Sequence, residues 1–562
     1  MLIVAPALLT RIPFLTSRPC GGFTRLYRSI FGAASVSNTI DPASIRANQQ
    51  RLGVKLQDHY DFVVCGAGSS GSVVAGQLAA NPNVRVLLLE AGGSDDVGAV
   101  LDPNQWPSTL GSELDWGFIA EPNSHLNGRA IPYSMGKVLG GGGSINVGIW
   151  ARGHQADWDF FAEAAGDPAW SHAAVLDLYR RIEAPPHRDA DMGPMWVQAA
   201  RNPHPFFAAA LDSMDAQGIQ RFETMNGALW EAPSGCAYVD ETVHAGKRQS
   251  PFRSYVYSRM DQPNLTVLTG ALVTRVLFQD RRAAGVEFAH DGKQIRVQAR
   301  LEIVLSLGAL HTSKVLMQSG IGDERKLRPF GIPVLQHLPG VGRHMHDHAS
   351  LSCVWESPEI DMPTAPRGQA VCFWKTDPAM SVPNALAFAV PIVYATPENA
   401  ATSDLPKAGW SLFAGFTTEG RGELHLTGPN ATDQLRIETN FISEPHDIES
   451  ALEVIGMCRR IGNEKALAPF VKREALPGEL DRASMEMFIR NGIGTFWHQS
   501  GAARMGRDDM SVVDSRLRVY GIDGLRIADA SVMPRVTVGN TMAPCVIIGQ
   551  RAADMIQAAN GS

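Results

Sequence analysis

Cysteine is scarce in this 562-residue sequence: seven residues, at positions 20, 65, 236, 353, 372, 458 and 545, none in a CxxC spacing. An odd number of scattered cysteines excludes a disulfide framework and a thiolate zinc site, and points to reduced, buried thiols. Long apolar runs are also missing. The best, Ala385 to Ala395, contains Pro391 and falls short of the roughly 18 residues that a membrane span needs, so no transmembrane segment is expected. Positive charge is not in excess either. With a net charge of −7 and a pI near 6.2, neither nucleic acid nor an anionic lipid surface is an expected partner. The first forty residues lack acid altogether while carrying Arg11, Arg18, Arg25 and Arg28. Residues 1–57 therefore read as a leader with the flavour of a mitochondrial transit peptide, although Pro6, Pro13 and Pro19 interrupt any amphipathic helix there. A cytoplasmic protein with an unstructured leader is the alternative.

What is present is the composition of a globular enzyme, 44% hydrophobic and 19% charged, in a chain long enough for two domains. The first organised segment is "YDFVVCGAGSSGSVVAGQLAANPNVRVLLLEAGG". Phe62 to Cys65 is a short apolar run suited to a buried parallel strand. Gly66, Gly68 and Gly71 then form G-x-G-x-x-G, Val73 to Ala80 reads as a helix, and Val84 to Leu89 as a second strand ending at Glu90. A tight turn, a bare backbone and a helix N-terminus are what a pyrophosphate needs. Glu90, nineteen residues beyond Gly71, is placed to accept the hydroxyls of an adenosine ribose. A carboxylate there disfavours a 2′-phosphate, which argues against NADP but leaves NAD and FAD open.

The stretch "GKVLGGGGSINVGIW", Gly136 to Trp150, puts four glycines in front of Ser144, Ile145 and Asn146. Such a run is costly to order. Its flanks Val138, Leu139 and Ile145 are apolar, which excludes a solvated linker. Together with Gly153 and Asp159 it resembles the first signature of the glucose–methanol–choline (GMC) family of flavoproteins. "GALHTSKVLMQSGIG", Gly308 to Gly322, resembles the second, and "WHQSGAARMG", "RIADASVMP" and "GNTMAP" are similar to the family's C-terminal segments. The resemblance runs from about Tyr60 to Ile556. "GIGTFWHQSG" and "VVDSRLRVYGIDGLRIADAS" look closest to members that oxidise sorbose or hydroxymethylfurfural-like primary alcohols, and choline dehydrogenase-like members are also among the nearest the resemblance suggests.

The resemblance implies an α/β fold, a Rossmann-like FAD domain interlaced with an α+β substrate domain built on an antiparallel sheet. Segments 58–185, 264–345 and 490–562 would form the former, and 186–263 with 346–489 the latter. Alternation in "AGWSLFAGF" and "GELHLTG" suits strands with one exposed face. FAD would be held at the first turn by Gly66, Gly68, Ser69, Ser70 and Gly71, and after the second strand by Glu90 and Ala91. Val138, Gly141, Asn146, Val147, Gly148 and Ile149 would contribute from the glycine loop, with Gly140 to Gly143 leaving room for the ring system. Val273, Trp497, Asp529, Ala530 and Thr541 would complete the cofactor site.

The same resemblance implies oxidation of an alcohol, with oxygen or a quinone as electron acceptor. His498 and Asn540 match the family's catalytic pair. A histidine near its ordinary pKa suits proton transfer at neutral pH, and Asn540 would bond the same oxygen. Three alternating histidines in "RHMHDH", Arg343 to His348, suggest a metal at first sight; the family has a similar metal-free corner, so Asp347 and His348 read as structural and no metal is expected. Some members bind FAD covalently through a histidine before the asparagine of the glycine loop. Here that residue is Ile145, which has no nucleophilic nitrogen, so non-covalent FAD is expected. Because fold does not fix function, a lyase on the same scaffold, a hydroxynitrile lyase or a light-driven fatty-acid decarboxylase, is the alternative.

Overall fold

The apolar run after Tyr60 forms the strand His59–Cys65, with Phe62 to Cys65 wholly buried. It occupies the middle of a seven-stranded mixed sheet in a computed structural model that describes residues 2–4, 42–54, 56–184, 193–200 and 203–561. In order across the sheet lie Leu265–Leu268, Val86–Leu89, His59–Cys65, Lys293–Leu305, Arg282–His290 and Leu272–Gln279. Leu525–Ile527 adds on to Lys293–Leu305 in parallel. The long strand Lys293–Leu305 changes partners along its length. Its first half pairs antiparallel with Arg282–His290; beyond a bulge between Ala299 and Glu302 its apolar end runs parallel to His59–Cys65. Polar alternation gives way there to Ile303, Val304 and Leu305, which are buried as a parallel core strand requires.

The helix after the glycine turn is Ser69–Ala79, earlier than the Val73 to Ala80 expected. Gly68 ends the turn in extended backbone, so Ser69 and Ser70, polar and easily mistaken for loop, already form the first turn. The helix lies between Met542–Asn560 and Pro251–Tyr255 at distances that only glycines allow. A Cβ on Gly549 would stand 2.5 Å from the Ser70 carbonyl oxygen, and one on Gly76 would stand 2.4 Å from that of Tyr255.

The second sheet is antiparallel, in the order Arg473–Leu476, His348–Glu356, Gly409–Thr417, Ala385–Val390, Ala370–Trp374 and Gly235–Tyr238. Its strands come from 186–263 and 346–489, with one departure from the expected boundary at 490: Gly494–Thr495 pairs with His348–Glu356. The one-face exposure expected of "AGWSLFAGF" is not found. Trp410 to Phe416 are all buried, because helix Pro445–Gly462 packs on the sheet and Phe413 faces a cavity on the other side. "GELHLTG" does alternate, with Leu424 and Leu426 buried and Glu423 and His425 half-buried.

Part of the expected leader is a docked element. Pro42–Val54 is a helix whose Asn48 and Gln49 amides donate to the carbonyls of Met260, Gln262 and Leu265. Residues 5–41, which carry the arginines of the transit-peptide reading, lie outside the described residues. The six described cysteines are all free thiols. Among the described residues no helix is long and apolar enough to cross a membrane.

Candidate active site

One cavity takes its lining from both sheets, and most of the residues expected from the sequence converge on it. Gly66, Gly68, Ser69, Ser70, Glu90, Ala91, Gly141, Asn146, Val147, Ile149 and Val273 line it, as do Trp497, His498, Asp529, Ala530, Asn540 and Thr541. Gly71, Val138 and Gly148 do not; each acts on the chain itself. A Cβ on Gly71 would fall 2.0 Å from the Gly66 carbonyl oxygen, so this glycine sets the helix against the turn. Val138 is buried against Val100 and Ile145. Gly148, at φ +76°, donates its N–H to Asn146 Oδ1 at 2.9 Å.

The four glycines likewise divide. Gly140 has φ +90°, and its Cβ would meet Ser144 Oγ at 2.1 Å. Gly141 has φ +53°, with a Cβ position 2.8 Å from Gly68 Cα, so the loop touches the dinucleotide turn there. A Cβ on Gly143 would lie 3.0 Å from Pro251 and Ser69. Gly141, Gly142 and Gly143 all line the cavity, but only Gly142 is exposed there with a Cβ position that meets no protein atom within 4 Å. Three of the four therefore serve chain packing and one alone leaves room for a ligand.

The polar groups of the cavity suit a dinucleotide. Gly68 provides no side-chain cap, so the amides at the head of helix Ser69–Ala79 have no acceptor from it and suit an anion. Glu90 is fixed by its two oxygens, which accept from Ala67 N at 3.0 Å and Gly92 N at 2.8 Å. Each keeps a lone pair for a hydroxyl donor. Burial raises this carboxyl to about 7 against the pull of those amides. Asp529 accepts from Gly308 N, Thr312 Oγ1 and Ser531, which holds the C-terminal segment on the second signature. Asn146 is gripped by a residue with no sequence signal, Arg248, whose Nη1 donates to both its Oδ1 and its carbonyl oxygen.

The end of the cavity at His498 is organised by Asp347. One carboxylate oxygen accepts from the backbone N–H of His348 at 2.8 Å and of His498 at 2.9 Å. The other accepts from the Thr495 hydroxyl at 2.5 Å, and Thr495 Oγ1 in turn accepts from Trp497 N at 2.8 Å. These bonds hold Trp497 at φ +61° and turn His498 into the cavity. His498 Nε2 lies 3.4 Å from Asn540 Nδ2, and its Nδ1 lies 2.9 Å from Nδ1 of His348. Asn540 Oδ1, Gln499 Oε1 and Ser306 Oγ are buried at this cavity without a protein partner.

His498 does not sit near its ordinary pKa, contrary to the sequence expectation. Burial, and then the neighbouring His348, hold it well below 6.5; burial takes His348 to about 3. Both rings are neutral at pH 7. The alternating histidines of "RHMHDH" diverge: His346 bonds Thr418 O and Val536 N, while His348 turns to His498. Among the described residues the acids and histidines that do converge are Glu423, His425 and Glu438. Lys326, Arg343 and Arg436 already neutralise that group.

A two-sheet scaffold with a glycine-turn dinucleotide site and a histidine–asparagine pair defines a flavin-dependent oxidoreductase class. GMC oxidoreductase profiles match residues 60–350 and 418–549. The chain belongs to the GMC oxidoreductase family, whose members act on CH–OH donors. It is 35% identical over 532 residues to a GMC-type oxidoreductase of Mycobacterium bovis, covering 88% of this chain and 99% of that one. It is 32% identical over 551 residues to mitochondrial choline dehydrogenase of Homo sapiens, covering 90% and 91%. Among solved structures, pyridoxine 4-oxidase from Mesorbium loti superposes with a TM-score of 0.82 at 28% identity, covering 88% of this chain and 98% of the other. FAD is the cofactor the family implies, and the helix heads, Glu90 and the open face of Gly142 fit it. The relatives are oxidoreductases and give no support to the lyase alternative.

Proposed function

We propose that this enzyme oxidises an uncharged primary alcohol with an apolar or aromatic substituent, using His498 as the base. The observation that carries this reading is a neutral imidazole Nε2 beside an amide donor, in a cavity walled by Trp106, Phe388, Val390, Phe413, Phe496 and Trp497. Bound FAD supplies the hydride acceptor. His498 Nε2 takes the hydroxyl proton, and Asn540 donates to the same oxygen as negative charge develops on it. The apolar walls exclude water from the pair and strengthen both interactions.

Choline is disfavoured despite the likeness to choline dehydrogenase. Among the described residues the carboxylates lining the cavity are Glu90 and Asp529, both held by protein donors, and a quaternary ammonium would find aromatic faces but no free counter-charge. Ile145, packed with Val100 and Val138 and without a nucleophilic atom, supports non-covalent FAD. The acid-free, Arg-bearing segment before Asp41, with a mitochondrial protein among the relatives, supports mitochondrial targeting.

The test is stopped-flow flavin reduction under anaerobic conditions. His498→Ala should retain FAD and slow reduction roughly 10²–10⁴-fold, the scale of a lost general base. Reduction at the parent rate would remove His498 from the reaction.

A further inference from the structure

The facing ring nitrogens of His348 and His498 are both Nδ1, 2.9 Å apart, with the rings at 83° to one another. A gap of this size holds one hydrogen: two would collide, and none would set lone pair against lone pair. The other nitrogen of His498 settles which ring owns it. Nε2 faces Asn540 Nδ2, a group that can only donate, so Nε2 is the acceptor and the hydrogen of His498 is on Nδ1. His348 Nδ1 must then accept it, and His348 carries its own hydrogen on Nε2.

We propose that His348 is a positioning residue that accepts the Nδ1–H of His498 and so fixes the tautomer able to remove the substrate proton. When the substrate O–H bond breaks, its electron pair stays on oxygen and the proton binds the Nε2 lone pair. The His498 ring becomes an imidazolium, and its Nδ1–H···Nδ1 bond to His348 becomes charge-assisted, about twice as strong as before. Asp347 ties the two backbones together, and Phe496 covers both rings, with ring centres 5.1 Å from His498 and 6.4 Å from His348. Tyr133 and Thr495 act on Asp347. His346, two residues before His348, is the further titratable group interacting with it, and burial holds that ring neutral as well.

This rests on the assignment of His498 as base, and the experiment separates the two. His348→Leu removes the acceptor; His348→Gln restores one in the form of a carbonyl oxygen. The Leu variant should keep FAD and lose roughly 10²-fold in flavin reduction, less than the roughly 10⁴-fold that a forced wrong tautomer costs a catalytic triad. The Gln variant should recover most of that loss. In the parent, nitrogen-labelled histidine NMR should show His498 protonated at Nδ1 and His348 at Nε2, a readout that does not depend on how well the Leu variant folds. Equal rates for Leu and parent, no recovery with Gln, or a His498 resonance protonated at Nε2 would each overturn the proposal. A full loss in His498→Ala alongside either of the first two results would leave the base in place and remove only His348, whereas a resonance protonated at Nε2 would count against the base as well.

Discussion

Gly142→Ala separates the needs of the chain from the needs of its ligand. The residue opens the short helix Gly142–Ile145, its φ is not in the left-handed region, and a methyl there meets no protein atom within 4 Å. For the apoprotein the change should therefore be neutral or stabilising, by about 0.4–1 kcal/mol, because alanine has less freedom to lose on folding. For FAD the methyl enters a lined cavity and should cost about 1–3 kcal/mol of overpacking. That raises the dissociation constant about 5-fold to about 160-fold. Gly141→Ala is the control. Its φ of +53° and a Cβ position 2.8 Å from Gly68 Cα should cost the apoprotein itself about 1–3 kcal/mol. The assay is thermal melting of both apoproteins with flavin-fluorescence titration of FAD. If Gly142→Ala binds FAD as tightly as the parent, the cofactor does not lie against this glycine, and the reason given for the loop is wrong.

Two more outcomes are expected. Because burial and His348 lower the pKa of His498, its neutral form persists as pH falls, and flavin reduction should stay flat from about pH 8 to 6; a fall with its midpoint near the ordinary histidine value would contradict the burial argument. Acid precipitation should leave a white pellet and a yellow supernatant, since Ile145 cannot bond the flavin; a yellow pellet would show that another residue does.

The strand–turn–helix unit was legible because three local signals agree there: an apolar run, glycines at positions that cannot carry a Cβ, and an acid after the second strand. Its boundaries were less so. The second strand starts at Val86 rather than Val84, because Val84 N bonds back to Asn81 O and its own carbonyl oxygen accepts from Asn264. Helix Pro42–Val54 gave no apolar stripe to read; it is held by side-chain amides on the carbonyls of Met260 and Leu265, some 210 residues away. The same holds at the site. His498 and Asn540 could be matched by motif, but the partner that sets the tautomer is 150 residues from His498, and nothing in "RHMHDH" tells which histidine turns inward. Arg248 is buried by contacts with Val100 and Asn146 that form only in the folded chain.

The proposed base and substrate preference rest on one feature, the apolar walls of the cavity around His498. Proton transfer leaves a positive imidazolium among apolar walls, with Asp347 reaching it only through a backbone amide. A substrate cation near its own hydroxyl would then lie roughly 6 Å from that charge. At an effective dielectric of about 20 the repulsion is roughly 3 kcal/mol, or about a hundredfold in rate. Choline and its carbon isostere, with a quaternary carbon in place of nitrogen, have nearly the same shape and differ in this charge. The isostere should therefore reduce the flavin about a hundredfold faster at saturating concentration, and the gap should remain in high salt, because a buried pair is poorly screened. Faster reduction by choline would mean that an anionic group reaches the cavity in the working enzyme, and the neutral-substrate reading would have to be abandoned while His498 kept its role.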